Sequence, residues 1–148
     1  MNNGNSILVI DDDQNLRTTL SLILNRAGFQ TALACEGMEA LKNLDNQRYD
    51  LVFLDLKMPG MDGMEVLQEI SRSKPDLPVL VLTANASLES AIQALGLGAS
   101  GYMLKPIEPE QIINRAREVI RQKQQVKRRR EIIHEIQGIV TELKAIDG

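Results

Sequence analysis

Three aspartates in succession, Asp11, Asp12 and Asp13, follow four apolar residues in the stretch "ILVIDDDQN". Two carboxylates about 5 Å apart repel by roughly 3 kcal/mol at an effective dielectric of about 20. A small domain is stable by only roughly 5–15 kcal/mol in total. Either the charges fan out into water, or a cation sits among them. A fourth acid, Asp55, ends the apolar run of "LVFLDLKMPGMDG", Thr83 ends that of "VLVLTAN", and Lys105 ends that of "GYMLKPI" ahead of Pro106. Carboxylates without histidine or cysteine partners suit a hard cation with oxygen ligands, Mg²⁺ above all. Such an ion removes the repulsion and supplies the Lewis acidity of phosphoryl transfer, while Lys105 and Thr83 can hold phosphoryl oxygens. Asp55 is then a candidate carboxylate nucleophile of the kind that forms aspartyl phosphates.

These residues form a site only if the elements that carry them converge. Short apolar runs predict strands at 7–11, 31–35, 51–54, 79–83 and 101–104. Between the first two, Leu16, Leu20, Ile23, Leu24 and Ala27 recur at helical spacing, with Gly28 where a C-terminal cap glycine belongs. Further helices fit 37–46, 63–73 and 88–97, the last with Ser87 as N-cap and Gly98 just past its end. Pro109 reads as the first residue of a final helix. Five strands, each followed by a helix, imply a parallel sheet covered on both faces, and right-handed crossovers reduce the topologies to a doubly wound α/β fold. Ligands of such folds bind beyond the carboxyl ends of the strands. That edge is where Asp11, Asp12, Asp13, Asp55, Thr83 and Lys105 fall.

The totals exclude several classes. The chain has 148 residues, enough for one domain with an appendage, and at 43% hydrophobic and 25% charged it is ordinary for a globular protein. Two Tyr, two Phe and no Trp argue against a base-stacking nucleic-acid surface. No apolar run approaches a membrane span, and "MNNGNS" lacks the features of a signal peptide, so a cytoplasmic location is expected. The single cysteine, Cys35, excludes an intrachain disulfide and a cysteine zinc cluster. Charge is uneven: residues 1–118 carry ten Lys/Arg against sixteen Asp/Glu, a net of −6, and residues 119–148 carry seven against four, a net of +3.

The set "IDDD…LDLKMPGMDG…LTA…GYMLKPI" resembles the receiver domain of two-component response regulators over roughly residues 5–125, in order, spacing and strand position. The resemblance implies a five-stranded flavodoxin-like sheet of order 2-1-3-4-5 and a phosphorylation-dependent signalling regulator, a self-modifying phosphoacceptor and not a conventional enzyme. It implies that Asp55 is the phosphoacceptor, that Asp12 is a direct Mg²⁺ ligand, and that Asp11 supports the ion and its waters. The Lys57 backbone carbonyl is a further implied ligand. Lys105 pairs with the phosphoryl group, with a cis Lys105–Pro106 bond, and Thr83 and Tyr102 form the switch pair. The implied partner is a sensor histidine kinase. Asp13 stays outside this set and reads as a helix-start carboxylate, favourable beside the N-terminal dipole. Thr83 and Tyr102, taken singly, read equally well as an ordinary strand threonine and a partly buried aromatic. Lys57 and Asn85, each two residues beyond a site residue, border the expected path of attacking water or are plain loop residues.

Other chemistries fail on details. An EF-hand at "DDDQN" requires Gly at loop position six and Glu at position twelve, where Leu16 and Leu22 stand. Aspartyl-phosphate phosphatases of similar fold carry a second Asp two residues after the nucleophile, by their own family pattern, and Lys57 stands there. No glycine-rich phosphate loop follows a strand.

From Pro109 one long helix can reach about Lys144. Ile112, Val119, Val126, Ile133 and Val140 recur every seven residues, with Ile136 and Leu143 at matching d positions and Ile132, Ile139 and Ile146 at g. Gln122 and Arg129 interrupt the d row. Residues 126–148 are therefore expected to be a helical extension, a coiled coil that makes a homodimer or a linker to an output domain absent from the chain. Packing of this stripe on the chain's own domain, or on a domain absent from the chain, is the plainer reading. His134 in "IIHEIQG" resembles the phosphoacceptor helix of histidine kinases, which would make the chain the receiver of a hybrid kinase, though the proline expected a few residues later is missing. The basic run 121–130 carries no DNA-reading motif, so direct nucleic-acid binding is not expected.

Overall fold

The structure, a computed structural model, describes residues 4–58, 60–84 and 87–147. The chain alternates β1 (Ser6–Ile10), α1 (Gln14–Arg26), β2 (Gln30–Ala34), α2 (Gly37–Asn46), β3 (Leu51–Leu54), α3 (Gly63–Ser73), β4 (Val79–Thr83), α4 (Leu88–Gly96), β5 (Gly101–Leu104) and α5 (Pro109–Asp147). All strand pairs are parallel, and the sheet order is β2-β1-β3-β4-β5. The flavodoxin-like doubly wound fold expected above is the fold observed.

Successive strand residues point to opposite faces, and both faces here are apolar, so the central strands carry continuous runs of Ile, Leu, Val and Phe. Leu8, Ile10, Val52, Leu54, Val79 and Val81 pack with Ala40, Leu44, Val66, Leu67, Ile70 and Ala94 of α2, α3 and α4. Their neighbours Ile7, Val9, Leu51, Phe53, Leu80 and Leu82 pack with Leu20 and Leu24 of α1 and with Ile112, Ala116, Val119 and Ile120 of α5. Asp13 caps α1, its Oδ1 accepting from the backbone N–H of Asn15 and Leu16. Gly28 and Gly98, past the ends of α1 and α4, both take positive φ, as a C-terminal cap glycine should.

The first two strands each sit one residue earlier than expected. Pairing in the register Ser6↔Gln30 to Ile10↔Ala34 sets their common length. Beyond it, the Cys35 N–H turns to Glu39 Oε2. The last helix departs further from the heptad reading. Ile112 and Val119 belong to the domain core together with Ala116 and Ile120, the wide i, i+4, i+7, i+8 face of a helix lying on a sheet. They are not the start of an intermolecular seam. From Arg121 onward the helix buries no further described side chain, although Lys123 and Arg130 still reach Asp76 of the body, and the apolar side chains from Val126 to Ile146 are exposed. At 1.5 Å per residue, the 39 residues of α5 span about 58 Å. No described helix is long and apolar enough to cross a membrane.

Candidate functional site

The carboxyl ends of β1, β3 and β5 bring the acids and the lysine together. Asp11 follows β1, its N–H donating to the Ala34 carbonyl at 3.1 Å and its own carbonyl accepting from the Arg17 guanidinium at 2.7 Å. Asp55 follows β3, and its N–H donates to the Ile10 carbonyl at 2.9 Å. These bonds carry the strand ladders one residue past their ends, which sets the two carboxylates side by side at the sheet edge. Both are buried, at 2% and 6% exposure, in contrast to the exposed Asp12. Burial of charge on this scale is costly unless each oxygen has a partner.

Lys105 supplies much of that partnership. Its Nζ lies 2.8 Å from Asp11 Oδ2 and 3.2 Å from Asp55 Oδ2. The other oxygens accept backbone N–H groups, Asp11 Oδ1 from Asp13 at 2.9 Å and Asp55 Oδ1 from Lys57 at 3.1 Å. The cation that the clustered acids demand is thus partly Lys105 itself, reaching from β5. Burial pushes the Asp11 carboxyl above its ordinary range, against the opposing pull of the Lys105 ammonium and the Asp13 N–H. Burial alone would lower Lys105, but its bond to Asp11 and the charges of Asp11 and Asp55 hold it above its ordinary value. The Lys105–Pro106 peptide is cis.

One ammonium does not neutralise three acids. Asp11, Asp12 and Asp55 each offer a carboxylate oxygen within 4.8 Å of the others, a hard-donor set of the kind that holds Mg²⁺ together with waters and a backbone carbonyl. An open depression of about 460 Å³ lies beside them, lined by Asp12, Leu56, Lys57, Met58, Gly60 and Asp62. It leaves room for the waters such an ion retains.

Thr83 is buried at the end of β4, and its carbonyl accepts the Lys105 N–H at 3.0 Å. In the β4–β5 register Val81 opposes Tyr102 and Thr83 opposes Leu104. Thr83 and Tyr102 are therefore diagonal neighbours on one face of the sheet, the face covered by α4. The half-buried Tyr102 donates or accepts a 2.8 Å hydrogen bond with Ser90 of α4. Asn85 lies outside the described residues. His134 is exposed on the extension of α5, remote in sequence from these groups.

Four contributors escaped the reading of the sequence. Arg17 fixes the Asp11 carbonyl, Asp62 caps α3 by accepting from the Met64 N–H, and Ser90 meets Tyr102 across two elements. Gly63 allows α3 to begin against the Asp55 loop, where a Cβ would stand 2.4 Å from Leu56 Cα and 2.7 Å from the Asp55 carbonyl oxygen. Only Asp62 had a visible signal, its place just before a helical pattern.

The chain is similar to known proteins over this region. Response regulator MprA of Mycobacterium sp. strain KMS is 41% identical over 115 residues, 78% of this chain and 50% of that protein. The alkaline phosphatase synthesis transcriptional regulatory protein PhoP of Bacillus subtilis strain 168 is 36% identical over 118 residues, 80% of this chain and 49% of PhoP. The chain thus spans about half the length of these relatives. Among solved structures, a CheY-like receiver domain protein from Methanospirillum hungatei JF-1 superposes with a TM-score of 0.80 at 28% identity, covering 82% of this chain and 97% of that one. NtrX from Brucella abortus gives a TM-score of 0.81 at 28% identity, covering 90% of this chain and 30% of NtrX. The family model for the response regulator receiver domain matches residues 7–117, from β1 into the buried part of α5, and the chain belongs to that family of two-component signalling domains.

Proposed function

We propose that Asp55 accepts a phosphoryl group from a sensor histidine kinase and that the domain changes conformation in response. The observation that carries this reading is the buried Asp55 carboxylate, held 3.2 Å from Lys105 beside two further acids. In the transfer an Asp55 oxygen attacks phosphorus, a P–O bond forms, and the P–N bond to the donor histidine breaks with its electrons leaving on the imidazole. Lys105, already in contact with Asp55, neutralises charge that develops on the phosphoryl oxygens. The backbone N–H of Lys57 orients the carboxylate. Asp11, Asp12, Asp55 and the Lys57 carbonyl would hold Mg²⁺, which when bound supplies charge neutralisation and Lewis acidity to the transferred group. The same groups favour slow self-catalysed phosphorylation from small donors and hydrolysis of the product. Thr83 and Tyr102 share a sheet face and report the modification by moving together.

The domain boundary is placed near residue 125, with residues 126–148 a helical extension that pairs with a second copy of the chain. The relatives' greater length supports an output domain beyond the receiver, and a cytoplasmic location belongs to the same reading. Lys57, where a phosphatase would carry a second acid, weighs against that alternative, and no contact made by His134 favours a phosphotransfer role.

The test is incubation with acetyl phosphate, with and without Mg²⁺. Labelling of the wild type, lost on Asp55→Asn and on chelation, is the expected result. Equal labelling of the variant, or indifference to chelator, overturns the assignment.

A further inference from the structure

The start of α4 and the ring of Tyr102 share one hydroxyl group. Ser87 and Ser90 form a reciprocal cap in which the Ser90 N–H donates to Ser87 Oγ at 3.0 Å and the Ser87 N–H donates to Ser90 Oγ at 3.2 Å. Ser90 Oγ also lies 3.1 Å from the Ser87 carbonyl oxygen, 3.1 Å from Ser87 Oγ and 2.8 Å from the Tyr102 hydroxyl. A serine hydroxyl has one hydrogen to give and two lone pairs. The Ser87 carbonyl can only accept, and it faces both the Ser90 hydroxyl and the Ala91 N–H at 3.0 Å. The Ser87 N–H can only donate, so it fills one lone pair. The Ser87 hydroxyl donates to Ser90 Oγ at 3.1 Å, and in the 2.8 Å bond to Tyr102 either hydroxyl can be the donor, so one serine hydroxyl is shared between the cap and the ring. In the usual form of this cap the third helical residue is Glu or Gln; serine places a short, fully used hydroxyl against the ring instead.

We propose that Ser90 is a positioning residue that holds Tyr102 in its unphosphorylated place by tying the ring to the first turn of α4. The proposal rests on the reading of Thr83 and Tyr102 as a pair that moves when Asp55 is modified. If the ring turns toward Thr83, the phenol must leave Ser90, and the cap loses one of its bonds. The Ser90 hydroxyl therefore favours the unmodified conformation and couples the ring to the first turn of α4. Loss of one such neutral hydrogen bond shifts a two-state equilibrium about three- to tenfold.

The test uses the full chain carrying Ser90→Ala, Ser90→Thr, Tyr102→Phe or Ser90→Ala with Tyr102→Phe. Two readouts are taken: the Tyr102 ring resonances without ligand, with Tyr49 as internal control, and the affinity for fluoroberyllate with Mg²⁺. Ser90→Ala should shift the Tyr102 resonances, leave those of Tyr49 in place and tighten fluoroberyllate binding about three- to tenfold. Ser90→Thr, which keeps the hydroxyl, should stay within about twofold of wild type, and the double variant should exceed neither single change. Unmoved Tyr102 resonances in Ser90→Ala, failure of threonine to rescue, or additive effects of the two substitutions would overturn the proposal. If the wild type takes up no fluoroberyllate, the phosphoacceptor reading fails, and the unliganded resonances still decide whether Ser90 positions the ring.

Discussion

The two carboxylates buried at the sheet edge differ in what surrounds them from the one left in water, and their substitutions should differ accordingly. Asp12 is exposed and has two acids within 4.8 Å. Asp12→Ala removes a repulsive charge without opening a cavity, so stability of the metal-free protein should stay level or rise. Its Mg²⁺ affinity should fall at least about tenfold, as removal of even an outer partner does at metal sites. Titration calorimetry and denaturant unfolding on one preparation check both halves. A loss of several kcal/mol with normal Mg²⁺ affinity would make Asp12 structural. Lys105 is the opposite case, because it touches both buried acids. Lys105→Ala leaves Asp11 and Asp55 without their shared cation and should cost about 1–3 kcal/mol in metal-free unfolding at neutral pH. Mg²⁺ should stabilise this variant more than it stabilises the wild type, while the conformational response to acetyl phosphate should be largely lost. An unchanged response would remove Lys105 from the mechanism.

At the scale of elements, the sequence was readable wherever one short segment carries its own signal. Asp13 before a helical pattern, Gly28 and Gly98 after one, Pro109 at a first turn and the four-residue apolar runs are local statements about backbone and burial. The strand-end placement of Asp11, Asp55, Thr83 and Lys105 follows from those runs once the sheet is parallel. What stayed hidden depends on distances between elements. Nothing in the spacing of Ser90 and Tyr102 announces a 2.8 Å contact, and the heptad at Ile112 and Val119 looks the same whether its partner is a sheet or another helix. Gly63 shows the same limit, because only the folded chain reveals the backbone of Leu56 and Asp55 pressed against it. Gly63→Ala should force α3 away from the Asp55 loop and cost about 1–3 kcal/mol, in the range of overpacking changes. It should also weaken Mg²⁺ binding, since Asp55 and Lys57 sit on the loop that moves. Gly60→Ala tests a different cause, the positive φ of 81° with open space around the Cβ, and should leave Mg²⁺ affinity closer to wild type. If Gly63→Ala unfolds and binds Mg²⁺ as the wild type does, the close approach has no bearing on the site.

At the scale of the whole molecule, an acidic body carries a helix that continues well past its last buried residue, Ile120. Val126, Ile133 and Val140 at a and Ile136 and Leu143 at d are all 43–56% exposed in the single chain. Burying each of the last four side chains in a dimer seam is worth roughly 1.5–3 kcal/mol, against an association cost of about 4–15 kcal/mol. In a parallel coil, Val140 at a with Leu143 at d favours two strands, whereas Ile133 with Ile136 leans toward more, and the isoleucines at 132, 139 and 146 flank the seam. Arg129 at d and the neighbouring basic residues oppose it nearer the domain. Nearest the domain, the helix is also tied to its own body: Asp76, in the α3–β4 loop, accepts from Lys123 at 3.0 Å and from Arg130 at 3.4 Å. Both cations occupy e positions, at the edge of the seam. We therefore expect a dimer in the micromolar range. Light scattering should find dimers for residues 1–148 and monomers for a chain ending at 125, which keeps Ile112 through Ile120 and the Lys123 contact. Ile136→Asp in the full chain should match the shortened form, because a carboxylate at a central d position cannot be buried without a partner. A full chain that stays monomeric at high micromolar concentration would show that the stripe does not pair with its own copy.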